Sequence, residues 1–263
     1  MNGRVLIIAG SDCGGGAGIQ ADLKTVTALD GFAMTALTAL TAQNTLGVHA
    51  IHEVPKDFIT QQIEVVLSDI GADAIKLGML HRASVIHAVA GVLERLNPGV
   101  PIVLDPVMMA KGGHALLESD AMQALTERLI PLASLVTPNV PEAESLSGVK
   151  IETVEDFTRA AEKIGGEAVL VKGGHMPGDV LTDVLWQEGK VQAFSGPKID
   201  SKHTHGTGCT LASAIACGLA QGLGLEAAVE RARAYVLEAI KTAPGYGHGH
   251  GPLNHSHTVQ KFP

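Results

Sequence analysis

Apolar and polar positions alternate along this chain on two scales. Short, largely apolar runs at 5–9, 74–77, 102–104, 135–137 and 168–171 are each closed by Gly, Asp, Pro or Lys and read as buried strands. Between them, longer segments at 19–29, 58–68, 84–96, 120–130 and 154–164 carry apolar residues at helical spacing. Strand–helix alternation of this regularity predicts parallel β-α-β units. Runs at 180–186 and 190–195 flank Gln187-Glu188-Gly189 and predict a late antiparallel hairpin. Two more helices are expected at 210–221 and 226–241. No Pro/Ser-rich linker, repeat or long charge run intervenes, so the expectation is one α/β domain spanning 1–263.

Composition narrows the function classes. The chain has 263 residues, 46% of them hydrophobic, which suits a large core rather than extended disorder. No apolar run approaches the roughly 20 residues of a membrane span. Met-Asn-Gly-Arg leads straight into a core-like strand, so neither a leader nor a membrane partner is expected. A net charge of −8 with 3% aromatics lacks the basic stripe and stacking platform of nucleic-acid binders. Cysteines at 13, 209 and 217 form no Cys-x-x-Cys pair, which predicts a reducing compartment and no disulfide framework.

Ligands of open parallel sheets bind outside the carboxyl ends of the strands. Gly10-Ser11-Asp12, Gly78-Met79-Leu80, Asp105-Pro106-Val107, Thr137-Pro138-Asn139 and Lys172-Gly173-Gly174-His175 each follow a predicted strand, so they converge on one rim. The sharpest motif is His203-Thr204-His205-Gly206-Thr207-Gly208-Cys209, which opens directly into the apolar helix that follows. Its first backbone N–H groups lack intrahelical partners and suit an anion, as a transferring phosphoryl group requires. Cys209 lies at that helix start, where the local field favours a thiolate. A purely structural Gly-x-Gly turn is the competing reading.

Other motifs remain open on residues alone. Residues 9–22 place a glycine loop between strand and helix. They match neither the dinucleotide fingerprint nor the P-loop, since Ile19 stands where Gly is needed and Gly16-Ala17 where Lys-Ser/Thr is needed. Close backbone approach to a small substrate competes with a plain turn, and Asp22 reads equally as a helix-dipole partner. Asn139-Val140-Pro141-Glu142 fits a capped helix with a capping-box pattern, or a carboxylate near Mg²⁺ acting through water. Lys172 beside two glycines fits nucleotide phosphates or a solvated strand end. Four histidines in 247–257 lack an accompanying Cys or carboxylate, and their alternating glycines favour loop over metal site.

Taken together, residues 9–25, Thr41-Ala42-Gln43-Asn44-Thr45, Lys76-Leu77-Gly78-Met79-Leu80, Asp105-Pro106-Val107-Met108, 137–143, 172–175 and 204–210 resemble the ribokinase-like superfamily of small-molecule kinases. Within it they resemble the hydroxymethylpyrimidine/phosphomethylpyrimidine kinases of thiamine biosynthesis, in order over essentially the whole chain. The resemblance implies a ribokinase-like fold, with a central mostly parallel sheet and helices on both faces. It implies ATP with Mg²⁺ as donor and a cytoplasmic homodimer. It also implies that Gln43, Gly10, Asp22, Met79 and Val107 line the pyrimidine pocket. Gly206, Thr207, Gly208, Cys209 and Lys172 would form the catalytic anion hole, Asn139, Lys172 and Thr207 would face the nucleotide, and Glu142 and Asp105 the metal. Two departures stand out: Cys13-Gly14 replace the usual Pro-Ser-like pair, and Cys209 occupies the place of the Asp that acts as base in many ribokinase relatives.

Gln43 has an independent chemical rationale. A 4-aminopyrimidine edge offers an N–H donor beside a ring-nitrogen acceptor, and a carboxamide closes both bonds at once. Satisfaction of backbone at a strand end is the competing role. The expected activity is phosphorylation of 4-amino-5-hydroxymethyl-2-methylpyrimidine and then of its monophosphate. A pyridoxal/pyridoxine kinase and a non-catalytic vitamin-binding module are the alternatives.

Overall fold

The computed structural model describes residues 1–109, 113, 116–118 and 120–260. Strand β1 (Arg4–Asp12) alternates strictly: Val5, Ile7 and Ala9 pack on one face of the sheet, Leu6 and Ile8 on the other. This period of two on a strand buried on both faces explains its near-continuous apolar run. The remaining strands are β2 (Phe32–Asn44), β3 (Gly47–Glu53), β4 (Ala74–Leu77), β5 (Ile102–Leu104), β6 (Leu135–Val136), β7 (Ala168–Val171), β8 (Val180–Gln187) and β9 (Lys190–Pro197). They form one sheet in the order β3-β2-β1-β4-β5-β6-β7-β8-β9. Pairing is parallel from β2 through β7 and antiparallel at both edges, β2–β3 and β7–β8–β9.

Helices cover both faces. α2 (Lys56–Asp69), α3 (Ala83–Leu96), α4 (Ala121–Ala124), α5 (Val140–Ser147) and α6 (Val154–Ile164) enclose Leu6, Ile8, Ile59, Ile86, Leu93 and Phe157. α1 (Gly18–Ala28), α7 (Thr207–Ala220) and α8 (Leu225–Lys241) enclose Val5, Ile7, Val26, Ala212, Ile215 and Val229. The strand order reverses between β1 and β4, which opens a crevice at their carboxyl ends.

Three expectations change. The expected helix at 120–130 is one short turn of α4 followed by a π turn over Leu125–Leu129 and a 3₁₀ turn at Ile130–Leu132, where Pro131 removes a donor. The late hairpin closes on two residues, Glu188 (φ 49°) and Gly189 (φ 80°), as a primed turn requires. Strand β2 and its partner β3 have no counterpart in the apolar pattern. β2 is built largely from Ala and Thr, and only some of its positions are buried.

Candidate active site

The site forms where β1, β4, β5, β6 and β7 end, and it has two differently built ends. At the first, β1 finishes with Asp12, whose buried carboxylate gathers the glycine loop. Oδ1 accepts from the N–H of Gly14 at 2.8 Å, and Oδ2 accepts from those of Gly16 and Ala17 at 3.1 and 2.8 Å. The same Oδ2 lies 2.8 Å from Nε2 of His205. These contacts, His205 above all, hold the Asp12 carboxyl below the usual range against the opposing effect of burial. His205 Nε2 is in turn 3.2 Å from the carboxamide nitrogen of Gln43, and the carboxamide oxygen accepts from Thr41 Oγ1 at 3.2 Å. His205 Nε2 gives its one hydrogen to Asp12, and the Thr41 hydroxyl also donates to the Ser11 carbonyl at 2.9 Å, so Gln43 sits between these two side chains at the tip of β2 without being fixed by both ends of its amide.

Beside it, Met79 and Val107 pack with Ala39, Leu116, Val48 and Ile51 into an apolar wall. A side chain on Gly10 would crowd Met79 Sδ at 3.2 Å, so bare backbone faces that wall. Cys13 takes part as well: its thiol donates to the carbonyl of Gln43 and accepts from its N–H, both at 3.2 Å.

Asp22 requires a correction. It has no exposed surface. Its Oδ2 accepts from Lys76 Nζ at 2.9 Å and its Oδ1 from Ser213 Oγ at 2.7 Å. It lies beneath the pocket, not on its lining, because its place on α1 faces the sheet.

The second end is built on charge. Gly206 caps α7 in the left-handed region (φ 85°), and a Cβ there would overlap the carbonyl oxygen of Gly16, so the two glycine loops touch through backbone. A Cβ on Gly208 would sit 3.3 Å from Lys172 Nζ and 3.5 Å from Asp105 Oδ2. Lys172 Nζ donates to Asp105 Oδ1 at 2.8 Å, and Thr137 Oγ1 donates to the same oxygen at 3.1 Å. The N-termini of α1 and α7 converge on Cys209, whose sulfur accepts from the N–H of Gly18. The thiolate expectation is corrected here. Burial, aided by Asp22 and Asp105, outweighs Lys76 and the Gly18 N–H and pushes the thiol up to about 12. Cys209 is a neutral thiol at neutral pH.

Asn139 and Glu142 form the complete capping box of α5: Asn139 Oδ1 accepts from the N–H of Glu142 at 3.0 Å, and Glu142 Oε2 from that of Asn139 at 2.8 Å. The cap does not exhaust Glu142. Burial pushes its carboxyl up to about 7 despite Lys172, and Asp105 adds to the rise. Thr207 Oγ1 donates to the carbonyl of Thr204 at 2.7 Å, which leaves the hydroxyl only its acceptor capacity toward a nucleotide.

Three of the four tail histidines are bonded within the fold. His250 Nδ1 lies 3.2 Å from the Lys202 carbonyl, His255 Nε2 2.9 Å from Thr210 Oγ1, and His257 Nε2 3.1 Å from the Tyr235 carbonyl. Among the described residues no group of three or more His, Cys, Asp or Glu is arranged to hold a metal ion. The pair Asp105 and Glu142 nevertheless suits Mg²⁺. Both are hard oxygen donors on one rim, and Glu142, raised by burial first and by Asp105 next, would be drawn back to its charged form by a cation there.

The apolar pattern pointed to neither Asp12–His205 nor Lys76–Asp22 as a pair. A signal for the second exists: Lys76 sits inside an otherwise apolar four-residue strand, and a lysine is almost never fully buried without a partner.

Residues 12–254 match the family model described as phosphomethylpyrimidine kinase. The chain is 47% identical to the hydroxymethylpyrimidine/phosphomethylpyrimidine kinase of Bacillus subtilis, over 96% of this chain and 94% of that protein. It is 51% identical to the thiamine biosynthesis bifunctional protein ThiED of Geobacter sulfurreducens, over 96% of this chain. There it spans only 52% of the relative's length. The fold superposes on the pyridoxal kinase of Staphylococcus aureus in complex with AMP-PCP and pyridoxal with a TM-score of 0.89 at 35% identity, covering 99% of this chain and 96% of that one.

Proposed function

The chain belongs to the phosphomethylpyrimidine kinase family, and on that premise we propose how its one domain performs two phosphorylations in a single site. The enzyme is an ATP-dependent hydroxymethylpyrimidine/phosphomethylpyrimidine kinase. It phosphorylates 4-amino-5-hydroxymethyl-2-methylpyrimidine and then the monophosphate to the diphosphate, in thiamine biosynthesis. The observation that carries the reading is the juxtaposition of the Gln43 carboxamide with the α7 N-terminus through His205, a 3.2 Å contact between a ring-recognising group and the residue preceding Gly206.

The pyrimidine edge pairs with Gln43, and its ring lies against Met79 and Val107, with Gly10 giving backbone access. The hydroxymethyl arm then points at the N–H groups of Gly206 to Cys209. Its oxygen forms a bond to the γ-phosphorus of ATP, the bond to the ADP oxygen breaks, and the hydroxyl proton passes to an oxygen of the transferred phosphoryl group and from there to solvent. A loose transition state places the catalytic burden on positioning and charge rather than on proton removal. Cys209, protonated, does not accept that proton; it completes the anion hole between two helix termini. Lys172 and the α7 N–H groups stabilise the negative oxygens as they form. Asn139, Lys172 and Thr207 face the nucleotide. Asp105 and Glu142 would hold Mg²⁺ largely through water, and the ion would supply charge neutralisation on the phosphates.

In the second round the acceptor is dianionic, and the same Lys172 and N–H cluster offsets its repulsion from ATP. Exposed Leu40 and Leu46 on the β2–β3 edge support a homodimer built on that hairpin. Three free cysteines support a reducing, cytoplasmic location. No helix among the described residues is long and apolar enough to cross a membrane.

An ATP-consumption assay with the hydroxymethylpyrimidine, with pyridoxal and with neither tests the assignment. Turnover that requires the pyrimidine and exceeds that with pyridoxal is expected. Preferred use of pyridoxal would make this a vitamin B6 kinase, and consumption independent of both would refute an acceptor kinase altogether.

A further inference from the structure

The alternating glycines of 247–251 find a physical reason in the fold. After α8 the chain returns along the rim and crosses between the two loops that carry the site. The N–H of Gly249 donates to Thr45 Oγ1 at 3.2 Å, and the N–H of His250 donates to the Thr45 carbonyl at 2.9 Å. One residue on, the carbonyl of Gly251 accepts from the N–H of His205 at 3.2 Å, and Pro252 pairs with His205 in a parallel bridge. Thr45 follows Gln43 by two positions in the β2–β3 turn, and His205 precedes Gly206. Four consecutive residues thus span from the ring-recognising hairpin to the phosphate loop. A Cβ on Gly249 would overlap the Thr45 carbonyl oxygen and press on the backbone of Leu46, so a side chain there cannot be accommodated by a rotamer change.

We propose that Gly249–Pro252 is a strap whose residues position the acceptor. It holds the Gln43 hairpin at a fixed distance from the Gly206–Cys209 loop, so the hydroxymethyl arm meets the anion hole. The inference rests on the Gln43 reading above. The strap is anchored beyond the site: the Tyr235 hydroxyl donates to the His255 carbonyl at 2.6 Å, and the N–H of Asn254 donates to the Ala239 carbonyl at 3.0 Å. Gly249 is therefore required by the backbone of the hairpin it clasps, and Gly251 by the His203 ring and the Tyr246 carbonyl, not by chain flexibility or by a metal.

The test compares Gly249→Ala and Thr45→Val with wild type, in the full chain, by steady-state kinetics and by hydrogen exchange of the 43–46 amides. Gly249→Ala should raise the pyrimidine KM about tenfold or more while the ATP KM stays within about twofold, with faster exchange at 43–46. Thr45→Val, which keeps the volume but removes one acceptor, should shift the same KM about threefold. A loss of kcat spread equally over all substrates, or no KM change, overturns the strap. If Gly249→Ala does not fold, the Thr45→Val shift decides alone. Gln43→Glu measured in parallel separates the two ideas. Faster exchange at 43–46 in Gly249→Ala with an unmoved KM in Gln43→Glu refutes the Gln43 reading, whereas a moved KM in Gln43→Glu with unmoved strap variants refutes the strap.

Discussion

The two ends of the site solve the same problem, holding reacting groups still, by different means. The acceptor end is a hydrogen-bonded lattice around one carboxylate: Asp12 accepts from three loop N–H groups and the His205 imidazole, and Gln43 sits between Thr41 and His205. The phosphoryl end gathers buried ionisable groups: Lys172 with Asp105, the Glu142 carboxyl, and below them Lys76 with Asp22. On the proposed reading, bond direction selects the substrate at the first, and preorganised potential lowers the barrier at the second. Damage to the first should therefore appear in the acceptor KM, and damage to the second in kcat for both steps.

The largest effect is expected at Gly208. A valine there would push into Lys172 Nζ and Asp105, and a loss of about a thousandfold or more in kcat for both phosphorylations should follow, since even one lost oxyanion donor costs about 10²–10³. A selective loss of one step would break the division between the ends. Next comes the charge layer underneath. Lys76→Met leaves Asp22 buried without its cation and should cost about 3–5 kcal/mol in denaturant unfolding, whereas Lys76→Met combined with Asp22→Asn should recover most of it. Equal destabilisation by the single and double variants would mean that the pair is not the unit of stability.

Gln43→Glu sharpens the comparison from the other side. It opposes two acceptors at the ring nitrogen and should cost roughly 1–3 kcal/mol, read as a higher pyrimidine KM with the ATP KM nearly constant. Parallel changes in both constants would remove Gln43 from the acceptor pocket. The last effect concerns pH and leaves catalysis itself aside. Glu142 carries a carboxyl raised from 4.5 to about 7, so the folded state binds the extra proton. Its favourable contribution is fully present below the unfolded value and is lost as pH rises through about 7. Glu142→Gln should therefore gain thermal stability relative to wild type between about pH 4.5 and 7, and Mg²⁺–nucleotide should shrink that gap. A gap that does not change with pH would contradict the raised carboxyl.

Strands 74–77, 102–104 and 168–171 and helix 154–164 were legible because each is marked by burial on both faces or by a strong single-face period. β2 was not, because Ala and Thr in a half-buried strand give no strong alternation. The rim positions followed from strand ends, and the capping box at Asn139 was readable from its spacing. Asp22 is hard to place because spacing alone does not tell which side of α1 faces the sheet: it falls beyond the first turn, and its partner Lys76 is 54 residues away. The Asp12–His205 contact joins positions 193 residues apart and has no local signature at all.

In the proposed mechanism one site, with one anion hole, carries out both transfers. Phosphorus NMR of products formed with ATP–Mg²⁺, starting separately from the hydroxymethylpyrimidine and from its monophosphate, tests it most directly. The account predicts diphosphate from either start, with both conversions lost together in Lys172→Ala and Gly208→Val. Accumulation of monophosphate with added monophosphate left untouched, or loss of only one conversion in those variants, would contradict it.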